Sequence, residues 1–210
     1  MLRICFLSSL IVLAVLLGVA LPASAQTIID DWASIKAPPA PALTEVTADP
    51  KTTALLMLDF LKQNCAPNPR CIATLPKSAK LLAAARAKGV TVIYSLFPGP
   101  TIADTLPEVA PKGTEPVVTA FFNKFADPNL DKTLKDKGIK TVILIGSAAN
   151  GAVLGTGTEA FFHHYETVIP VDGMSGKDAY VEQSVVYNFI SAPVMGGKVV
   201  LTKIDMIKFQ

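Results

Sequence analysis

The chain has 210 residues, half of them hydrophobic, with 19 basic and 17 acidic side chains and a formal net charge of +2. A balance so near neutral, with no basic run interleaved with aromatics, offers no electrostatic footprint for nucleic acid or an anionic membrane, so neither is expected as a partner. Once an N-terminal segment is set aside, the length suits one domain with a substantial core.

That segment comes first. Met1 to Arg3 carries one positive charge, Ile4 to Leu21 is almost wholly apolar, and Ala23-Ser24-Ala25 supplies the small-x-small pattern of a signal-peptidase site. Residues 1–25 therefore read as a signal peptide, with an uncleaved anchor as the alternative, and the expected location is periplasmic or secreted. Cys5 lies too far upstream of the cleavage site for a lipoprotein. The remaining 185 residues (210 − 25) carry 18 basic and 17 acidic groups.

Residues 26–50 are rich in Pro and Ala and read as an extended lead-in arm, with the domain proper over 51–210. Such an arm lies across its own domain or across a second subunit. Thr52 to Asp59, T-T-A-L-L-M-L-D, is a continuous apolar run suited to a strand buried on both faces. Asp59 closes it. An acid at the carboxyl end of a first parallel strand stands at the ligand-binding edge, where burial raises its pKa toward general-acid duty; a cap or turn aspartate is the plainer alternative. Cys65 and Cys71 follow, six apart, and in an oxidising compartment they read as a disulfide rather than as a reactive thiol. The two histidines, His163 and His164, are adjacent and no C-x-x-C is present, so no metal or other cofactor is expected.

Ser78 to Lys88 has the pattern of an amphipathic helix, with Ser78 as N-cap and Gly89 as terminator, and Val90 to Phe97 alternates into a second strand. Pro98 to Pro116 breaks the rhythm with five prolines and two glycines, which suggests a lid or binding loop, or else an exposed insertion. Next, Val117 to Phe125 combines three aromatics with one lysine. Phe121, Phe122 and Phe125 suit the floor of an apolar pocket with Lys124 reaching an acidic substrate group; core packing and a surface charge are the alternative.

Helix Asn129 to Lys137, strand Ile139 to Ile145, helix Gly151 to His163, strand Glu166 to Val171, helix Asp178 to Ile190 and strand Lys198 to Thr202 complete an alternation that makes a parallel α/β sheet. Within it, Thr141 to Phe162 reads as strand, small-residue turn and helix N-terminus, where such sheets place ligands. Gly155 to Ala160, G-T-G-T-E-A, matches the letters of a dinucleotide fingerprint but lies too far past the strand end. His163 and His164 end a helix and look structural.

With Asp59 ending the first strand, the segment Val117 to Leu130 and the turn Gly146 to Leu154, the chain resembles the isochorismatase-like hydrolase family over about Thr52 to Lys203, including H-Y-E-T-V-I-P-V-D-G-M with its strand ending in Asp172. The resemblance implies a three-layer, Rossmann-like fold with a six-stranded parallel sheet flanked by helices, assembled into dimers or larger homo-oligomers. It also implies hydrolysis of a small molecule, in most members by an aspartate, a lysine and a cysteine acting on amides.

Asp59 matches the aspartate. Laying G-x-x-T-x-x-C-V on G-S-A-A-N-G-A-V puts Ala152 at the cysteine position, where no thioester forms. Laying the lysine segment on V-V-T-A-F-F-N-K-F puts Thr119 at the lysine position, with Lys124 able to reach the same space. The isochorismatases proper also lack the thiol and cleave a vinyl ether by acid chemistry. On that pattern Asp59 supplies the proton, while the N–H groups of Gly151 and Ala152 and the side chain of Asn150 orient water or a substrate carboxylate. A catalytically silent ligand-binding protein is the competing expectation, and Cys65 as a relocated nucleophile ranks last.

Overall fold

Thr53–Leu58 is buried at every position, which an isolated amphipathic strand would not tolerate, and it forms the central strand of the sheet. The computed structural model describes residues 26–210, so the expected signal segment lies outside the described residues. Two units separate at Pro38. In the first, α1 (Ile28–Asp31) begins at Thr27, whose backbone N–H and hydroxyl both donate to Asp30, and it buries none of its residues.

The second unit, Pro39–Gln210, carries the α/β fold. In chain order it contains β1 (Val46–Ala48), β2 (Thr53–Leu58), α2 (Lys62–Cys65), α3 (Pro69–Ala87), β3 (Thr91–Leu96), β4 (Val117–Thr119) and α4 (Pro128–Asp136). After these come β5 (Thr141–Ser147), α5 (Leu154–Phe162), β6 (Glu166–Pro170), β7 (Met174–Ser175), α6 (Ala179–Ser191), β8 (Val200–Thr202) and β9 (Ile207–Phe209). Six strands run parallel in the order β4-β3-β2-β5-β6-β8. A seventh strand, the two-residue β7, pairs with the end of β5, so the expected six-stranded sheet gains a short strand.

Alternation along the strands sorts the core into two layers. Leu55, Met57, Ile143 and Ile145 pack with Leu75, Leu82 and Ala85 of α3. Ala54, Leu56, Leu58, Val142 and Leu144 pack on the opposite face with Leu130, Leu134, Ala160, Val185 and Phe189 of α4, α5 and α6. Both faces are thus covered, which is why the strands read as unbroken apolar runs. The chain steps outward from β2 to β3 and β4, then returns to β5 beside β2. The crevice between β2 and β5 is therefore the topological switch point, where open parallel sheets bind ligands.

Two expectations change and one holds. The helix predicted from Ser78 begins at Pro69: Asn68 is the N-cap, its side chain accepting from the Arg70 N–H, and Pro69 takes the first turn where no N–H is needed. Ser78 is buried in mid-helix, and Pro76 sits on the exposed side. Cys65 and Cys71 are bonded, joining the end of α2 to the first turn of α3. The lead-in arm is not extended throughout, because α1 lies within it; further along, β1 pairs with β9 and the Thr44 N–H donates to the Leu201 carbonyl.

Pro98 to Pro116, expected as a lid or binding loop or an exposed insertion, is tied to the domain at several points. The Leu106 N–H donates to the Phe60 carbonyl, Thr105 bridges to Leu61, and the Tyr94 hydroxyl donates to the Val109 carbonyl at 2.7 Å. Arg86 grips Glu115 through Nε and Nη2 at 2.8 and 2.7 Å and also reaches the Ala110 carbonyl. The segment is a strap tied to α3 and β3. Burial pushes Glu115 up, but hydrogen bonds from Arg86 and the Lys112 N–H, with the Arg86 charge, hold it below its ordinary value. A depressed carboxylate pKa stabilises the fold above the unfolded value and loses that contribution as pH falls through the folded one. In urea unfolding, Glu115→Gln should cost about 1–2 kcal/mol above about pH 5, and the gap to wild type should close as the pH falls through the lowered pKa. A gap independent of pH would refute this account of the strap.

Candidate active site

β2 ends at Leu58, and the next residue, Asp59, turns with φ of 49°, a left-handed conformation that aspartate tolerates better than most residues. Its carboxyl group is held on both oxygens. Oδ1 accepts from Ser95 Oγ at 2.6 Å and Oδ2 from Lys124 Nζ at 2.8 Å. Ser95 stands there because β3 pairs with β2 in the register Leu58 opposite Ser95.

Lys124 is fully buried. Its ammonium also donates to the carbonyls of Ala120 at 2.6 Å, Phe121 at 3.0 Å and Leu96 at 3.1 Å, so four oxygens surround one nitrogen. Its backbone N–H donates to Thr156 Oγ1, which docks the loop on α5. Burial pushes the Asp59 carboxyl up from its ordinary value, against the Lys124 charge and the hydrogen bonds from Lys124 and Ser95. Burial likewise pushes Lys124 down, against the attraction of Asp59. Burial thus favours the neutral form of each group, while their mutual attraction favours the charged forms.

On the other side of Asp59, β5 runs into the turn. Gly146 is required: a Cβ there would lie 2.0 Å from the Leu58 carbonyl oxygen. A cis peptide joins Ser147 and Ala148, and Ala149–Val153 forms a π-helical turn before α5. Asn64 Nδ2 donates to the carbonyls of Asp59 at 3.2 Å and Ser147 at 3.4 Å, tying the acid's backbone to this turn. Ala152 is buried in the apolar cluster that contains Leu58, Val153 and Phe125. A cleft of about 330 Å³ borders the turn, lined by Asn64, Asn68, Ser147, Ala148, Asn150 and Lys177 among others.

A family model described as Isochorismatase domain matches residues 53–200. The chain belongs to the isochorismatase family. Solved structures agree on the fold. An isochorismatase-like hydrolase from Alkaliphilus metalliredigens is 23% identical, with a TM-score of 0.66 over 73% of this chain and 95% of that one. A cysteine hydrolase from Pseudomonas syringae pv. phaseolicola is 19% identical, with a TM-score of 0.67 over 79% and 95%. N-carbamoylsarcosine amidase from Thermoplasma acidophilum is 21% identical, with a TM-score of 0.62 over 73% and 97%. Comparison with curated proteins gave no match.

Within this isochorismatase fold, several expected site residues come together and others do not. Asp59 and Lys124 meet, and Lys124 reaches the aspartate rather than a substrate group. Thr119 does not occupy that place: it is exposed on edge strand β4, its N–H donating to Asp127 Oδ2. Phe121 and Phe122 do not floor a pocket, being 71% and 52% exposed, because their carbonyl-rich loop is turned inward onto Lys124 and the rings outward. The Phe122 ring still covers α5 at Gly155, where a Cβ would lie 2.2 Å from it. Phe125 is buried and stacks on His163 at 4.6 Å, as core. The Gly151 N–H is spent on the Ala148 carbonyl at 3.0 Å and is not offered to a ligand, while Asn150 is exposed on the cleft. Asp172 lies past the end of β6, accepting from Lys77 and from the Ile204 N–H. Cys65 is in its disulfide and is not a nucleophile. Sequence reasoning missed Ser95 and Asn64; a small polar residue near the end of the buried run T-V-I-Y-S-L was the signal for Ser95, and Asn64 had none.

Removing one member of a buried ion pair strands the other. Lys124→Met should therefore destabilise the fold by about 3–5 kcal/mol in urea unfolding, whereas the double variant Asp59→Asn with Lys124→Met should recover part of that loss, the remainder being the Leu96, Ala120 and Phe121 carbonyls left without their donor. Equal destabilisation of the single and double variants would argue against the pair as the dominant electrostatic term at the site.

Proposed function

We propose that this isochorismatase-family chain is an exported hydrolase of a small molecule that works by proton transfer from Asp59, with no thioester, because a methyl group stands at position 152. The observation that carries this reading is the buried Asp59–Lys124 pair at 2.8 Å, beside the turn at the switch point of the sheet. For a vinyl ether, the pair's shared proton moves from Asp59 to the enol carbon, leaving carboxylate and neutral amine. Water adds to the oxocarbenium ion, its proton returns to the pair, and the hemiketal collapses to a carbonyl compound and an alcohol. Lys124 acts in this scheme as the reservoir that keeps the proton at Asp59. The kinship with an amidase keeps amides among the bonds to test.

One observation favours a second reading, a ligand-binding protein without turnover. Both Asp59 oxygens and the whole Lys124 ammonium are engaged by the protein itself, and Asp59 is only 4% exposed. A substrate must displace part of this shell to reach the acid.

The test is hydrolase screening of the purified protein against vinyl ethers, amides, esters and lactams, beside Asp59→Asn and Ala152→Cys. Turnover that Asp59→Asn reduces by about 10²-fold or more is the expected result. Since the pair loses its proton above the lowered pKa of Lys124, turnover should decline as pH rises through that value. Inactive native protein, with amide hydrolysis appearing only in Ala152→Cys, would replace this reading by the binding one.

A further inference from the structure

Ser95 occupies a site where a hydroxyl is costly. It is 2% exposed, between buried Tyr94 and Leu96 on β3, and its Oγ donates to Asp59 Oδ1 at 2.6 Å. A buried hydroxyl without an acceptor bears the full desolvation cost of its O–H, so this hydrogen bond is what makes serine tolerable there. The same bond discriminates between the two oxygens of the carboxyl group. A proton on Oδ1 would turn that oxygen from acceptor to donor and leave the Ser95 O–H without its acceptor. A proton on Oδ2 disturbs no hydroxyl, since Oδ2 faces Lys124 Nζ: when the shared proton passes from that nitrogen to Oδ2, the new O–H donates to the neutral amine it left. The rigid backbone frame reinforces the choice, because Ser95 is fixed by strand register against Leu58 and Lys124 is fixed by three carbonyls.

We propose that Ser95 is a positioning residue that confines the proton shared by Asp59 and Lys124 to Oδ2, so that a single oxygen of the carboxyl delivers it. This rests on the acid-led reading of the site, and it adds the atom that acts and the residue that selects it. Ser95 touches no substrate in this role. It acts through Asp59.

The test follows the Asp59 carboxyl by ¹³C NMR titration in wild type, Ser95→Ala and Ser95→Thr, the signal being assigned by its loss in Asp59→Asn. A hydroxyl donating to the carboxylate favours the ionised form. Ser95→Ala should therefore titrate at higher pH than wild type, while Ser95→Thr, which restores the donor, should return toward it. On any substrate the protein turns over, Ser95→Ala should lower kcat roughly tenfold with little change in KM. An unmoved titration in folded Ser95→Ala, or a Ser95→Thr shift as large as that of alanine, would overturn the proposal. The titration needs no turnover, so an inactive wild-type protein would defeat the functional reading while the NMR result still decides the role of Ser95.

Discussion

One interaction organises the carboxyl end of the sheet: the ion pair between Asp59 and Lys124. At 2.8 Å and an effective dielectric of about 20, its attraction is roughly 6 kcal/mol, of the same order as the cost of taking two such ions out of water. The pair alone therefore adds little net stability. What makes the arrangement hold is the set of carbonyls that complete the ammonium shell, drawn from Leu96, Ala120 and Phe121. The end of β2, the end of β3 and the loop after β4 converge on one nitrogen, so Asp59, Lys124 and the aromatic loop are placed together or not at all.

The sheet explains why these groups can meet. β2 lies between β3 and β5, and the register sets Ser95 on one side of Leu58 and Gly146 on the other. Asp59, the next residue, inherits both neighbours. Gly146 brings β5 so close to the Leu58 carbonyl that no side chain fits, and Asn64 spans from the Asp59 carbonyl to the Ser147 carbonyl. The turn that carries Ala152 is in this way referenced to the acid by backbone rather than by flexible side chains. The strap from Pro98 to Pro116, tied to Phe60 and Leu61, holds the segment after Asp59 from the opposite direction.

Membership in the isochorismatase family does not dictate chemistry, since one scaffold serves many reactions. The residues at the site narrow the choice. The cysteines among the described residues, Cys65 and Cys71, are bonded to each other, and the side chain at Ala152 has no lone pair to offer. Proton transfer remains available to a buried carboxyl and amine, and it is the chemistry proposed for Asp59.

Much of this was legible in the residues. Apolar runs such as Thr53–Leu58 and Thr141–Ser147, separated by amphipathic segments, determine a parallel sheet covered on both faces, and a carboxylate directly after the first run determines an acid at its ligand-binding edge. The two cysteines six apart were legible as a bridge for the same local reason. Other features depend on distance in space rather than spacing in the chain. Thr119 and Lys124 compete for one role in the sequence, and only the fold decides for Lys124, because a loop must close before one of its side chains reaches a carboxylate 65 residues away. Phe121 and Phe122 look like a pocket floor until the carbonyls beside them are claimed by that lysine. Helix α3 starts nine residues earlier than its pattern suggests, since Asn68 caps it and Pro69 suits its first turn. Ser95 and Asn64 gain their meaning from strand register and from the packing of α2, and these exist only once the chain has folded.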